Sequence, residues 1–147
     1  MKTIDVTALG ELLIDFTQNG LSNQGNYLME ANPGGAPCNV LAMLRKLGYN
    51  AAFIGKVGDD GFGKQLAGVL KETGIATEGL RWDSSVHTTL AVVHTLPGGD
   101  RDFSFYRNPG ADMMLTEEEL PLDMIENCRI FHFGTLSMTH EGVRKAT

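Results

Sequence analysis

Asn32-Pro33-Gly34-Gly35-Ala36-Pro37-Cys38-Asn39-Val40, and then Gly55-Lys56-Val57-Gly58-Asp59-Asp60-Gly61-Phe62-Gly63, decide how the rest of this chain is read. The first stretch predicts a loop running into a helix. Paired glycines permit positive φ and leave no Cβ in the way of a close approach. Pro37 suits a first helical turn. Val40, Leu41, Leu44 and Leu47 then recur at helical spacing, and Gly48 is a suitable C-terminal cap. The second stretch closes a buried strand over Ala51–Val57 and turns at Gly58–Gly61. A second helix follows with Phe62, Leu66, Val69, Leu70 and Thr73 on one side and Gly74 at its end. Upstream, Ile4–Gly10 alternates as a strand, and Glu11–Phe16 reads as a second extended stretch. Strand, helix, strand, helix is the pattern of an α/β fold with a parallel sheet.

Composition narrows the function classes. The chain has 147 residues, 12 Lys+Arg against 18 Asp+Glu, and a net charge of -6. This length can bury a core. The acidic balance argues against a nucleic-acid partner. No apolar run approaches the roughly 20 residues of a membrane span. Met1-Lys2-Thr3-Ile4-Asp5 lacks the apolar core of a signal peptide. Cys38 and Cys128, far apart and without a partner motif, read as reduced thiols, and a cytoplasmic location is expected. Glycine supplies 18 of the 147 residues, well above the usual share of about 7%.

The middle of the chain changes character. His87–Leu96 and Arg101–Arg107 predict a β-hairpin around Pro97-Gly98-Gly99-Asp100. Phe103, Phe105 and Arg107 should share one face, with Asp102, Ser104 and Tyr106 on the other. Asn19-Gly20 and Asn23–Asn26 carry turn chemistry. Thr116-Glu117-Glu118-Glu119 reads as a capping box opening a helix through about Glu126. Cys128–Phe133 is a short strand. A further helix begins near Thr139 and is unfinished at Thr147.

Several residues invite chemistry. Gly58–Lys64 fits the phosphate-loop spacing G-x-x-x-x-G-K, but Gln65 stands where that motif needs Ser or Thr for magnesium. Asp59 and Asp60 would also repel phosphate, so a tight turn is the better reading. His87, His94, His132 and His140 lack zinc-ligand spacing, and no metal site is expected in this chain. Asp15 follows Leu12-Leu13-Ile14 and precedes Phe16. A carboxylate there either caps a backbone amide or accepts substrate hydroxyls, since bonds to a carboxylate are strong. Gly34-Gly35, the helix start behind them and Asn39 offer either a plain helix entry or a ligand loop. The Phe103, Phe105, Arg107 face either packs on a neighbour or closes over a polar ligand.

Taken together, these segments resemble the PfkB, or ribokinase-like, carbohydrate kinases. The stretch from Gly34 to Val40 with Leu47-Gly48, and the stretch from Gly55 to Gly63, look like that family's N-terminal signature. Gly10–Phe16 looks like its opening sugar-binding strand, and Phe105–Asp112 looks like the fructokinase branch. The resemblance implies a three-layer α/β/α, Rossmann-like domain. Residues 1–147 would form its N-terminal part, with a small β-sheet lid including a hairpin at about 87–107. It implies transfer of the ATP γ-phosphoryl group to a sugar hydroxyl, with Mg2+. Asp15, Gly34, Gly35 and Asn39 match the sugar-binding positions, and Arg107 lies on the lid strand. Fructose is the expected sugar; ribose, 2-keto-3-deoxygluconate and a non-catalytic sugar-binding module are the alternatives. The aromatic hairpin is a candidate surface for a homodimer. The family's second signature, D-T-x-G-A-G-D, does not occur in the sequence. Its catalytic aspartate is therefore expected C-terminal to Thr147, and the fold is expected to be truncated on that side and inactive alone.

Overall fold

Four strands pair in parallel through the centre of the molecule. A computed structural model describes residues 2–96 and 98–147. The strands are β1 (Ile4–Leu9), β4 (Ala51–Gly58), β5 (Ala76–Asp83) and β8 (Cys128–Phe133), in the order β5-β4-β1-β8. Val6 lies opposite Ala51 on one side and Ile130 on the other. All eight residues of β4 are buried, as expected of a parallel strand covered on both faces.

Two clusters cover the sheet. On one face, Val6, Ala8, Phe53 and Val57 pack with Cys38, Leu41, Leu66 and Leu70 from α1 (Ala36–Lys46) and α2 (Gly61–Thr73). On the other, Leu9 and Ile54 pack with Leu115, Val143 and Ala146. That side is formed by the 111–120 segment, α3 (Leu122–Glu126) and α4 (Glu141–Ala146). The alternation of Ala8 with Leu9 and of Phe53 with Ile54 between clusters is the period-2 geometry of a strand. The result is the expected α/β/α layering.

A second sheet stands apart from the first, in the order β3-β2-β6-β7. Its strands are β2 (Leu13–Leu21), β3 (Tyr27–Gly34), β6 (Leu90–Thr95) and β7 (Arg101–Tyr106). The hairpin expected at about 87–107 is β6 with β7. It does not stand alone, because β6 also pairs in parallel with β2. A two-stranded ribbon is marginal in water, and two further strands supply what it lacks. Pro97 lies outside the described residues, so that part of the expected turn is not described.

The structure corrects several expectations. Asn19-Gly20 lies within β2, where the register shifts between Gln18 and Leu21. Residues Asn32–Gly34, expected in a loop, finish β3. β5 gave no clear signal in the sequence. The Thr116 box opens only a 3-10 turn, Glu117–Glu119, and Pro121 separates it from α3; proline has no amide hydrogen to continue a helix. On α1, Val40 and Leu47 are exposed, and the buried residues are Pro37, Cys38 and Leu41. Gly74 does close α2, at φ 79. Among the described residues no helix is long and apolar enough to cross a membrane.

Candidate functional site

Asp15 sits near the middle of the second sheet. It faces Asn32 on β3 and Ala91 on β6, and Ala91 in turn faces Phe105 on β7. Directly opposed residues share a face, so Asn32, Asp15, Ala91 and Phe105 form one row. Thr17 adds to this polar patch, its hydroxyl accepting the Asn32 amide at 2.9 Å. Phe103 and Phe105 stack at 6.0 Å on the same face, as the alternation predicted. The opposite face carries Ile14, Phe16 and Leu90. It packs toward α2, with Phe16 edge-on to Phe62 at 5.6 Å.

The end of β3 brings the glycine pair to Asp15. A Cβ on Gly34 would overlap the Asp15 carboxylate, and a Cβ on Gly35 would overlap the Glu11 carbonyl. Gly35 also holds φ 118, a conformation that favours glycine. The glycines are therefore there for close approach: the carboxylate stands directly over the loop that starts α1. Burial pushes the Asp15 carboxyl above its ordinary range, with no cation or donor among the described residues set against it. A half-buried carboxylate without donors is the acceptor that a polyhydroxylated ligand can satisfy.

The other expected residues lie nearby to different degrees. Asn39, exposed on α1, lines with Gly34 a crevice of about 100 Å³ between α1 and α2. Arg107 follows the end of β7 and is held by a buried partner. Its Nε donates to Asp112 at 2.8 Å and its Nη2 lies 2.7 Å from the same oxygen. Asp112 also accepts the Thr89 hydroxyl. Arg107 lines a larger groove, about 790 Å³, together with Phe62, His87, Leu90, Tyr106 and Pro109. Asp15, Gly34, Gly35 and Asn39 do not line it, so the structure gathers the first three at one place and sets Arg107 at another.

The loop with phosphate-loop spacing does not fit a phosphate. Asp60 caps α2 by accepting the Gly63 amide at 2.8 Å. The same carboxylate accepts the Thr88 amide at 2.8 Å and the Thr88 hydroxyl at 2.9 Å. Gly63 is backed so tightly onto the Gly58 carbonyl that a Cβ would overlap it. The Gly63 amide, at the start of the helix where an anion would be cradled, thus already serves a carboxylate. Among the described residues, no three His, Cys, Asp or Glu side chains stand close enough to hold a metal ion.

Sequence reasoning missed Glu11, Asn32 and Asp112. Glu11 carries the signal that singled out Asp15, a carboxylate beside Leu12-Leu13-Ile14, and could have been found by it. Asn32 emerges only from β3 pairing, and Asp112 only from the path that returns it under Thr89.

The model of the family described as "pfkB family carbohydrate kinase" matches residues 3–147. The chain is 46% identical over 145 residues to Fructokinase-2 of Oryza sativa subsp. japonica, covering 96% of this chain and 43% of that protein. It is 45% identical over 143 residues to the fructokinase of Solanum tuberosum, covering 96% of this chain and 45% of that one. The crystal structure of fructokinase from Xylella fastidiosa superposes with a TM-score of 0.89 at 33% identity, covering 99% of this chain and 47% of that one. A structure of Xylella fastidiosa fructokinase with bound ATP superposes with a TM-score of 0.88 at 32% identity, covering 99% and 49%. The fold is thus ribokinase-like, and the chain spans about half the length of the relatives it matches.

Proposed function

The chain belongs to the pfkB family of carbohydrate kinases, and from that premise we propose that it carries the sugar-accepting side of a fructokinase-like kinase. The observation that supports this most is the placing of Asp15 over Gly34. A carboxylate raised by burial stands against a loop whose paired glycines let the backbone come this close to it. Asp15 accepts sugar hydroxyls, and the Gly34–Gly35 backbone approaches the ring. Asn39 serves from the first turns of α1. The second sheet closes over the sugar, with Arg107 at the end of its edge strand. Exclusion of water by such a lid limits transfer of the phosphoryl group to water.

The phosphoryl donor is ATP with Mg2+. Solved relatives with bound ATP support the nucleotide. At the start of α2 the Gly63 amide is already taken by Asp60. In the family resemblance the donor side rests on a D-T-x-G-A-G-D stretch, which these 147 residues do not contain. Fructose is the acceptor that the similarity to plant and bacterial fructokinases favours. Phe103, Phe105 and Tyr106, exposed on the lid, support pairing of two copies through this sheet. Two free buried cysteines support a reducing, cytoplasmic setting.

Calorimetric titration of fructose, ribose and 2-keto-3-deoxygluconate into the 147-residue chain tests this reading, with ADP formation followed in parallel. Fructose should bind tightest and no ADP should form. Failure of every sugar to bind contradicts the acceptor site. Fructose-dependent ADP formation contradicts the need for the absent stretch.

A further inference from the structure

One buried carboxylate lies outside everything the sugar reading uses. Glu11 is only 5% exposed. It sits between the end of β1 at Leu9 and the start of β2 at Leu13, where the chain leaves the parallel sheet for the lid sheet. Its Oε1 accepts the Ala36 amide at 2.9 Å. Ala36 opens α1, whose N-cap Gly35 has no side chain to cap with and whose first turn holds no acidic residue. The orphan amides of a helix start need an acceptor, and their dipole favours a negative one. Glu11 supplies both from 25 positions upstream.

The surroundings fix this carboxylate. The Glu11 carbonyl abuts Gly35, where a Cβ would overlap it. A Cβ on Gly134, just after β8, would come within 3.0 Å of its Oε2. The same Cβ on Gly134 would meet the Pro37 ring at 2.8 Å, so that ring stands beside Oε2. Oε2 itself is buried and has no hydrogen-bond partner among the described residues. A buried carboxyl oxygen without a partner is costly to the fold.

We propose that Glu11 is the positioning residue of the Gly34–Gly35 loop. It touches no sugar. It locks the start of α1 to the β1–β2 crossing, so that the loop stays at the height where it and Asp15 meet one ligand. The inference rests on the sugar reading for its consequence, but not for its geometry.

The test uses Glu11→Ala and Glu11→Gln in the same chain, with two readouts. Amide exchange by NMR follows Ala36, with Gly63 as an internal reference because Asp60 caps it independently. Calorimetry follows fructose. Glu11→Ala should speed exchange at Ala36 about tenfold or more and weaken fructose about tenfold, the loss of a hydrogen bond to a charged group. Gly63 should be unchanged. Glu11→Gln, which keeps a carbonyl acceptor for Ala36, should restore most of both. The proposal is overturned if Ala36 exchange and fructose affinity stay within about twofold of wild type. It is overturned equally if Gly63 loses protection with Ala36, or if Gln behaves like Ala. Should Glu11→Ala not fold, Glu11→Asp, one methylene shorter, carries the same comparison. If wild type binds no fructose, the sugar reading fails, and Ala36 exchange alone still decides whether Glu11 holds the loop.

Discussion

Replacing Asp15 by Asn separates binding from stability. The substitution keeps the shape of the side chain beside Gly34, where space is tight enough to exclude a Cβ. It removes the charge that burial disfavours, and that burial is what raises the carboxyl. A carboxyl raised by burial adds stability when protonated, and this is lost as pH rises through its native pKa. At neutral pH the ionised group is therefore a cost to the fold, and Asn relieves it. Stability of the Asn variant should equal or exceed wild type. Sugar affinity should move the other way. A hydrogen bond to a charged acceptor contributes about 1.5–3 kcal/mol, which corresponds to roughly 10- to 150-fold in Kd. Calorimetry with fructose and thermal unfolding of the same samples read both quantities. Unchanged affinity, or a loss of stability large enough to explain the loss of binding, refutes the role given to Asp15. A pH series adds a check: in wild type, affinity should fall as pH drops through the raised Asp15 pKa, and in the Asn variant that dependence should vanish.

Gly34→Ala should weaken fructose in the same direction, since the new Cβ displaces the Asp15 carboxylate, at about 1–3 kcal/mol for a forced shift in a packed site; equal calorimetric affinity would contradict the close approach. Asp60→Ala removes the cap of α2 and the acceptor of both Thr88 donors, and denaturant unfolding should show a loss of about 1–3 kcal/mol. Asp60, Asp83 and Glu119 govern acid stability. Burial pushes all three carboxyls up, yet their donors win and hold each below its ordinary value. Those donors are Thr88 and Gly63 for Asp60, Ser85 and Val86 for Asp83, where the Lys56 charge adds to them, and Lys56 and Thr116 for Glu119. Carboxyls lowered in the folded state stabilise it above the unfolded pKa of about 4, and that stability is lost as pH falls through the native values. The contribution of these three carboxyls to the unfolding midpoint should therefore be flat above about pH 4 and be lost below it. Phe53→Ala, at a side chain with no exposure in the centre of the sheet, should cost about 3–5 kcal/mol by denaturant titration.

How far the sequence reached can be seen residue by residue. Ala51–Val57 was legible as a strand because a continuous apolar run is what a doubly covered parallel strand requires. α2 was legible because Gly74 and the apolar spacing agree. The α1 stripe was half right. Leu41 is buried, but Val40 and Leu47 face outward, and the buried stripe of α1 runs through Pro37, Cys38 and Leu41. β3 was hidden, since Pro33 and Gly34 read as loop residues, yet an edge strand tolerates both. The site was legible where chemistry is unusual, at Asp15 and the glycine pair. Arg107 was placed by its strand, but its side chain is set by Asp112, a partner that only the folded path of 107–112 reveals. Glu11 lay in plain view and was overlooked because its partner, the Ala36 amide, is a backbone group with no signature in the sequence.

The most direct measurement is a crystal structure of this chain grown with fructose, because the groove beside Arg107 is a rival place for a ligand. The account predicts the sugar between the Asp15 carboxylate and the Gly34–Gly35 backbone, with at least one hydroxyl donating to Asp15. Fructose found instead in the groove of Phe62, His87 and Tyr106, with Asp15 untouched, would contradict it.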